Sequence, residues 1–215
     1  MILDTTFRRA LLAVAVAAFA GCANTASTDY DALATQMMKA SFSDRGIATV
    51  DRLNQDTSNR ECSQAEGRPL PEARAKAIEA ENLKTIRWPS DGRFIGDWRA
   101  GEKIAQSGRG MTWTDKTTSG NGGNCYACHQ LAKSEIAFGT IGPSLYRYGA
   151  SRGVSDPASP SAKAVVDYTW GKLWNSKAYN ACSNMPRAGH SGILTEAQIR
   201  DVMALLLDPK SPVNQ

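Results

Sequence analysis

The sequence predicts an all-α fold, because its composition is globular and three segments carry helical signals. The chain has 215 residues, of which 42% are hydrophobic and 21% charged, as expected for one globular domain with an appendage. The clearest helix starts after Thr195, which forms a capping box with Gln198, and ends before Pro209. Residues 96–107 and 161–174 predict two further helices. The apolar stripe of the last helix follows helical spacing: Ile199, Val202, Met203 and Leu206.

The chain begins with the features of an export signal. Arg8 and Arg9 precede an apolar run over residues 10–20, which at eleven residues is shorter than the roughly 20 that a membrane-spanning helix needs. After one glycine comes Cys22, and this stretch resembles a bacterial lipobox, in which the cysteine carries a lipid. We predict a signal peptide over residues 1–21, lipidation of Cys22 and a periplasmic protein tethered to the outer membrane. The alternative is an ordinary signal peptide, with this cysteine incidental.

An extension over residues 22–92 is predicted to be helical and supporting. Residues 31–41, 49–61 and 71–86 have helical signals, the last one opened by Pro71. The sequence of the extension has no metal cluster, phosphate-binding loop or internal repeat. We expect it to cover the rest of the protein or to help hold a partner, and the alternative is a spacer from the lipid anchor.

Charge is divided unequally along the chain. The extension has 9 basic and 11 acidic residues, whereas residues 93–215 have 14 basic and 9 acidic residues, a net charge of +5. The positive part can steer an acidic protein partner, or it is a solvated surface. Its basic residues are scattered and lack the dense runs of a nucleic-acid-binding arm, so we predict no nucleic-acid partner.

The sequence Cys125-Tyr126-Ala127-Cys128-His129 indicates the cofactor. Two thiols three positions apart on a nascent helix can add across the vinyl groups of one haem, and the adjacent histidine then meets the iron from the same side. A thioredoxin-like redox pair would need a βαβ setting, and a zinc site would need two more ligands at paired spacing. The sequence has neither, so we predict one covalently attached haem c.

A haem iron bound by His129 needs a sixth ligand or an open position, and Met185, Met203 and His190 are the candidates downstream. Met185 lies 56 residues after His129, in a loop stiffened by Pro186. Met203 lies on the buried stripe of the last helix and is more simply a core residue. A thioether beside a proline suits the usual cytochrome geometry, so we predict Met185, with a bis-histidine site through His190 as the alternative.

The order of these features resembles that of class I cytochromes c, in which the first and last helices cross, with Gly101 here leaving room for a close approach. The resemblance implies an all-α fold packed around one covalently bound haem c, in a domain over residues 93–215. In that family a proline carbonyl accepts the Nδ1 proton of the proximal histidine. The string GPSL at residues 142–145 therefore implies that Pro143 orients His129, and the alternative is a plain turn.

Longer strings resemble SoxX, the small monohaem subunit of the SoxAX cytochrome of bacterial thiosulfate oxidation. They are GEKIAQSGRG, GNCYACHQL, GTIGPSLYRYG, YTWGKLWNSKAYNACSNMPRAGH and GILTEAQIRDVMALLLDP, and the similarity is dense over residues 101–213. The methionine loop of that family usually has an aromatic residue where this chain has Ala188. A side chain as small as that of Ala188 is expected to pack less tightly over the haem edge, and this packing influences the redox potential.

The resemblance implies a role in an enzyme complex. SoxAX oxidatively joins thiosulfate to a cysteine of the SoxYZ carrier, an L-cysteine S-thiosulfotransferase reaction, and the chemistry occurs at a haem of the SoxA partner. This chain is then the electron-accepting, non-catalytic subunit, which passes electrons to another cytochrome. Cys125 and Cys128 attach the haem, His129 and Met185 are the axial ligands, and no residue here touches sulfur. The alternative is a free-standing, lipid-tethered monohaem carrier.

Two cysteines remain once the haem and the lipid are assigned. Cys62 and Cys182 are an even pair in an oxidising compartment, so we predict a disulfide between them. It would join the extension to the methionine loop, close a loop of about 120 residues and stabilise the fold by up to ~4 kcal/mol. The alternative is two free buried thiols, and without lipidation Cys22 becomes a third candidate for pairing.

Overall fold

The computed structural model describes residues 28–215, which contain six α-helices and no β-strand. The all-α prediction is therefore confirmed, whereas the signal peptide and Cys22 lie outside the described residues. Among the described helices, none is both long enough and apolar enough to span a bilayer. The helices are α1 (Tyr30–Ser41), α2 (Thr57–Gln64), α3 (Glu72–Leu83), α4 (Trp98–Gln106), α5 (Lys163–Trp174) and α6 (Glu196–Leu207).

Packing divides the chain into two units. The first, Met1–Ser43, has α1 among its described residues, and Asp29 caps this helix by accepting a hydrogen bond from the amide of Ala32 at 2.9 Å. The second, Asp44–Gln215, contains the other five described helices. The predicted extension, residues 22–92, therefore spans both units.

The last helix, α6, is the centre of the core of the second unit. It starts as its capping box predicts, because the Gln198 amide donates to the Thr195 hydroxyl while the Gln198 side chain accepts from the Thr195 amide. Its inward side chains are almost completely buried, among them Ile199, Met203 and Leu205 at 0% exposure. Burial of each such aliphatic side chain contributes roughly 1.5–3 kcal/mol. Met203 is therefore a core residue and not a candidate ligand.

Helix α4 crosses α6 at Gly101. A Cβ atom placed on Gly101 would lie 2.1 Å from the carbonyl oxygen of Asp201 and 3.1 Å from Cβ of Leu205. The backbones therefore approach too closely for any side chain at this position. The start of α4 is also fixed to α6, since the amide of Asp97 donates to the Asp201 carboxylate at 2.8 Å.

The tryptophans of α5 connect the core to the extension. Trp170, at 0% exposure, donates from Nε1 to the carbonyl of Arg87 at 2.9 Å. Trp174 donates in the same way to the carbonyl of Thr85 at 3.2 Å. The segment after α3 is thus bound to α5 through partly buried hydrogen bonds.

One of the helices predicted in the extension is wrong. The sequence predicted a single helix over residues 49–61, but the structure has a 3-10 turn at Val50–Leu53 and then α2. The break occurs because Asp56 has an extended backbone, with φ −70° and ψ 172°, and caps α2 by accepting from the amide of Asn59 at 2.8 Å. A residue in this conformation cannot continue a helix from the preceding turn.

Candidate haem-binding site

The predicted attachment motif forms one tight turn after a glycine-rich lead. The amides of Cys128 and His129 both donate to the carbonyl of Cys125, at 3.1 and 2.9 Å. Asn124 enters the turn in the left-handed region, with φ 48°. Neither cysteine is in a disulfide, and both are half-buried. Before haem attachment, burial raises the pKa of the Cys125 thiol to about 11.

The proximal histidine is oriented by a second segment that runs beside the turn. The amide of Gly142 donates to the carbonyl of Cys128 at 2.8 Å, and this pairing places Pro143 against His129. His129 Nδ1 lies 2.7 Å from the carbonyl oxygen of Pro143. A carbonyl can only accept, so Nδ1 carries the proton and Nε2 keeps its lone pair for a metal. This is the arrangement that the resemblance implied for Pro143.

The donor chemistry of the site fits a haem. A histidine nitrogen with a free lone pair beside two thiols three positions apart is the donor set of a covalently attached haem. Among the described residues no group of three or more His, Cys, Asp or Glu side chains could hold a metal ion. Next to the His129 turn, Ile141 exposes 81% of its surface, and Ile136 and Phe138 are also exposed. A flat apolar ring could cover such side chains. The residues present therefore fit a haem attached at the Cys-x-x-Cys-His turn.

Met185 lies in the methionine loop, residues 175–194, which joins α5 to α6. Its side chain is half-buried and packs against the same hydrophobic core as Cys125. Its carbonyl accepts a hydrogen bond from the hydroxyl of Ser176, which is fully buried, at 2.6 Å. The backbone that presents the thioether is therefore fixed from within the loop.

The alternative ligand, His190, is in a different environment. Its ring is exposed, and its amide donates to the carbonyl of Trp174 at 2.9 Å. Partial desolvation and the nearby guanidinium of Arg187 lower the pKa of His190, against the opposing effect of Asp56.

Ala188, which replaces the usual aromatic residue, is buried in the core.

The disulfide predicted for the remaining cysteines is present in the structure. Cys62 on α2 is bonded to Cys182 in the methionine loop, with an S–S distance of 2.09 Å and a Cα–Cα distance of 5.4 Å. The extension is thus covalently joined to the loop three residues before Met185.

Sequence reasoning missed several contacts between the extension and the methionine loop. Asp56 forms an ion pair with Arg187 at 2.6 Å, two residues after Met185. The fully buried Asn175 donates to the side chains of Asn82 at 3.0 Å and of Thr85 at 2.8 Å. No local pattern indicates these pairs, because their members lie between 90 and 131 residues apart in the sequence. An unpaired buried amide costs roughly 1–3 kcal/mol, so the Asn175 network fixes the start of the loop.

Fold and site together define an all-α protein with the class I cytochrome c fold and an N-terminal extension. Residues 121–209 match the family model described as Cytochrome c, a range from the haem motif to the end of α6. This match implies haem binding and electron transfer. The chain is also 39% identical over 136 residues to a curated protein called an uncharacterized lipoprotein from Aquifex aeolicus (strain VF5). The alignment covers 63% of this chain and 61% of that relative, less than two thirds of its length.

Proposed function

We propose that this protein is an exported, lipid-tethered monohaem cytochrome c that acts as the SoxX-like electron-transfer subunit of a thiosulfate-oxidising complex. The observation that carries the electron-transfer part is the hydrogen bond that His129 Nδ1 donates to the Pro143 carbonyl. His129 itself lies in the same turn as Cys125 and Cys128. The hydrogen bond leaves an imidazole nitrogen ready to bind iron beside two thiols at haem-attachment spacing. The bound haem would supply a one-electron Fe(III)/Fe(II) couple.

The residues of this chain hold and tune that couple. The Pro143 carbonyl orients His129 and, by drawing on its Nδ1 proton, strengthens Nε2 as a donor. Met185 would supply the second protein donor to the iron, from a loop whose backbone is bound by Ser176. A histidine and methionine pair favours a higher potential than two histidines, which suits a chain that accepts electrons.

The partner reaction follows from the resemblance to SoxX. At the SoxA-type subunit, the terminal sulfur of thiosulfate bonds to a cysteine sulfur of the SoxYZ carrier, with loss of one proton and two electrons. A monohaem chain accepts those electrons one at a time and passes each to an acceptor cytochrome. The chain is thus the non-catalytic subunit of an L-cysteine S-thiosulfotransferase.

The lipid anchor rests on Cys22 and on the relative from Aquifex, whose name describes it as a lipoprotein. A lipid at Cys22 would attach the protein to a bilayer, and we propose that this is the periplasmic face of the outer membrane. The same name also suits the second candidate, a free-standing, lipid-tethered carrier with no dedicated partner.

Purification of the tagged chain from its native host distinguishes the two candidates. For the SoxX-like role we expect a second haem protein to co-elute in fixed proportion, and thiosulfate to reduce the haem only when the carrier is added. A chain that elutes alone and stays oxidised with thiosulfate and carrier would leave the free-standing carrier.

The ligand assignment has its own test. Met185→Ala should abolish the methionine-to-iron charge-transfer band of the oxidised protein, whereas His190→Ala should preserve it. Absence of the band from the unmutated oxidised protein, together with a low-spin spectrum that His190→Ala changes and Met185→Ala does not, would establish the bis-histidine alternative.

A further inference from the structure

Two links to the extension flank Met185, one on either side, in addition to the hydrogen bonds of Asn175 at the start of the loop. Cys182, three residues before it, is bonded to Cys62 on α2. Arg187, two residues after it, is paired with Asp56, the N-cap of α2, at 2.6 Å. Because Met185 lies between two anchored points, its backbone cannot move away unless one of them yields.

Packing between the loop and the extension is incomplete on this side. A partly open cleft of about 990 Å³ lies between them, and its walls include the disulfide, Met185 and Arg187. Side chains that face a cavity lose the dispersion contacts of a packed core. The two flanking links therefore add to the Ser176 hydrogen bond in holding this side of the loop.

The ionic link is built from a charged carboxylate and a largely buried cation. Partial burial raises the pKa of Asp56, but the hydrogen bonds from the Asn59 amide and from Arg187 outweigh it, so the pKa lies below its usual value. The Arg187 side chain is only 14% exposed, and Lys177, a second cation facing Asp56, is buried. Removal of the carboxylate would leave two cations of the loop close together without their counter-charge.

We propose that Asp56 and the Cys62–Cys182 disulfide position Met185, so that the extension keeps the thioether available as the sixth ligand. The inference rests on the proposed function, which assigns Met185 to the haem iron. An added ligand such as imidazole binds the ferric iron only where the methionine has left. Its apparent affinity therefore reports the fraction of molecules with a displaced loop.

The test is imidazole titration of the oxidised holoprotein. Asp56→Asn removes the charge but keeps an N-cap residue of equal quality, so α2 is preserved. We expect about a fivefold tighter apparent affinity for imidazole, equivalent to about 1 kcal/mol. Arg187→Gln should give the same shift, and the double variant no more than either single variant. The matched control is Asp91→Asn, which breaks an ion pair of 2.8 Å with Arg200, outside the methionine loop.

The outcomes separate this inference from the proposed function. A shift in Asp56→Asn with none in Asp91→Asn supports positioning. Equal shifts of the imidazole affinity in both variants, or no shift in Asp56→Asn, overturn the positioning inference. If Met185→Ala still loses the charge-transfer band in that case, the ligand assignment stands without it. If Met185→Ala keeps that band, the ligand assignment fails and positioning fails with it. The Cys62→Ala/Cys182→Ala protein should show a shift at least as large, and an unchanged affinity would exclude the disulfide as a positioning group.

Discussion

The substitution Gly142→Ala tests whether the proximal histidine is held as the structure shows. A Cβ atom on Gly142 would lie 2.1 Å from Cε1 of His129 and 2.5 Å from its Nδ1. Ordinary contacts of a Cβ atom begin at 3.4 Å, so the imidazole must retreat by more than 1 Å. The hydrogen bond to Pro143, 2.7 Å in the structure, cannot survive a retreat of that size.

The size of the effect follows from this lost hydrogen bond. A His129 that no longer shares its Nδ1 proton is a weaker donor, and the loss of donor strength destabilises Fe(III) more than it destabilises Fe(II). If the bond contributes about 1 kcal/mol to the difference between oxidation states, the midpoint potential should rise by about 40 mV, since 59 mV corresponds to a factor of ten for one electron.

The assay is a spectroelectrochemical titration of the purified holoprotein, combined with detection of the slowly exchanging Nδ1 proton by NMR. Gly120→Ala is the matched control, because a Cβ there would meet no atom within 4 Å. We expect a raised potential and loss of the protected proton in Gly142→Ala alone. An unchanged potential with the proton still protected would refute the argument that Gly142 and Pro143 orient His129.

Three further predictions concern the stability of the second unit. Trp170→Phe removes the donor to the Arg87 carbonyl and should cost about 1–3 kcal/mol in guanidinium unfolding, whereas no change would mean that the carbonyl finds another partner. The Cys62→Ala/Cys182→Ala protein should lose up to ~4 kcal/mol, and a loss below ~1 kcal/mol would contradict the loop-closure argument. Folding lowers the pKa of Asp56, so its ionised carboxylate stabilises the folded protein. This contribution to the free energy of unfolding is present above the unfolded pKa near ~4 and is lost as the pH falls through the pKa of the folded state. In Asp56→Asn the free energy of unfolding should therefore fall less steeply with decreasing pH over this acid range. Parallel plots of unfolding free energy against pH for the two proteins would contradict this prediction.

Local signals explain why much of the fold could be predicted. The start of α6 depends on Thr195 and Gln198, three residues apart, and the structure has it where the capping box indicates. The helix predicted over residues 71–86 instead ends at Leu83. The side chains just beyond this end serve distant partners, since Thr85 accepts from Asn175. A sequence pattern cannot anticipate such a contact.

The same contrast applies to the site. The thiols and His129 lie within one turn, so their spacing alone indicates haem attachment. The link between Asp56 and Arg187 joins residues far apart in the chain, and Asp56 has a sufficient local role as the cap of α2. Because the capping of α2 already explains an aspartate at position 56, the sequence does not indicate that Asp56 also forms an ion pair with a distant residue.

The Cys62–Cys182 bond closes residues 62–182 into a covalent ring that contains the Cys125-to-His129 turn. A single protease cut within this ring opens it but releases no fragment, so a nicked molecule keeps its full mass on a non-reducing gel. After reduction, a cut before residue 125 leaves any attached haem on the C-terminal fragment, and a cut after residue 128 leaves it on the N-terminal one. A cut before residue 62 can therefore separate only the part of the extension that precedes its cysteine, and the part that carries Cys62 is lost only when the ring is cut and the disulfide is reduced.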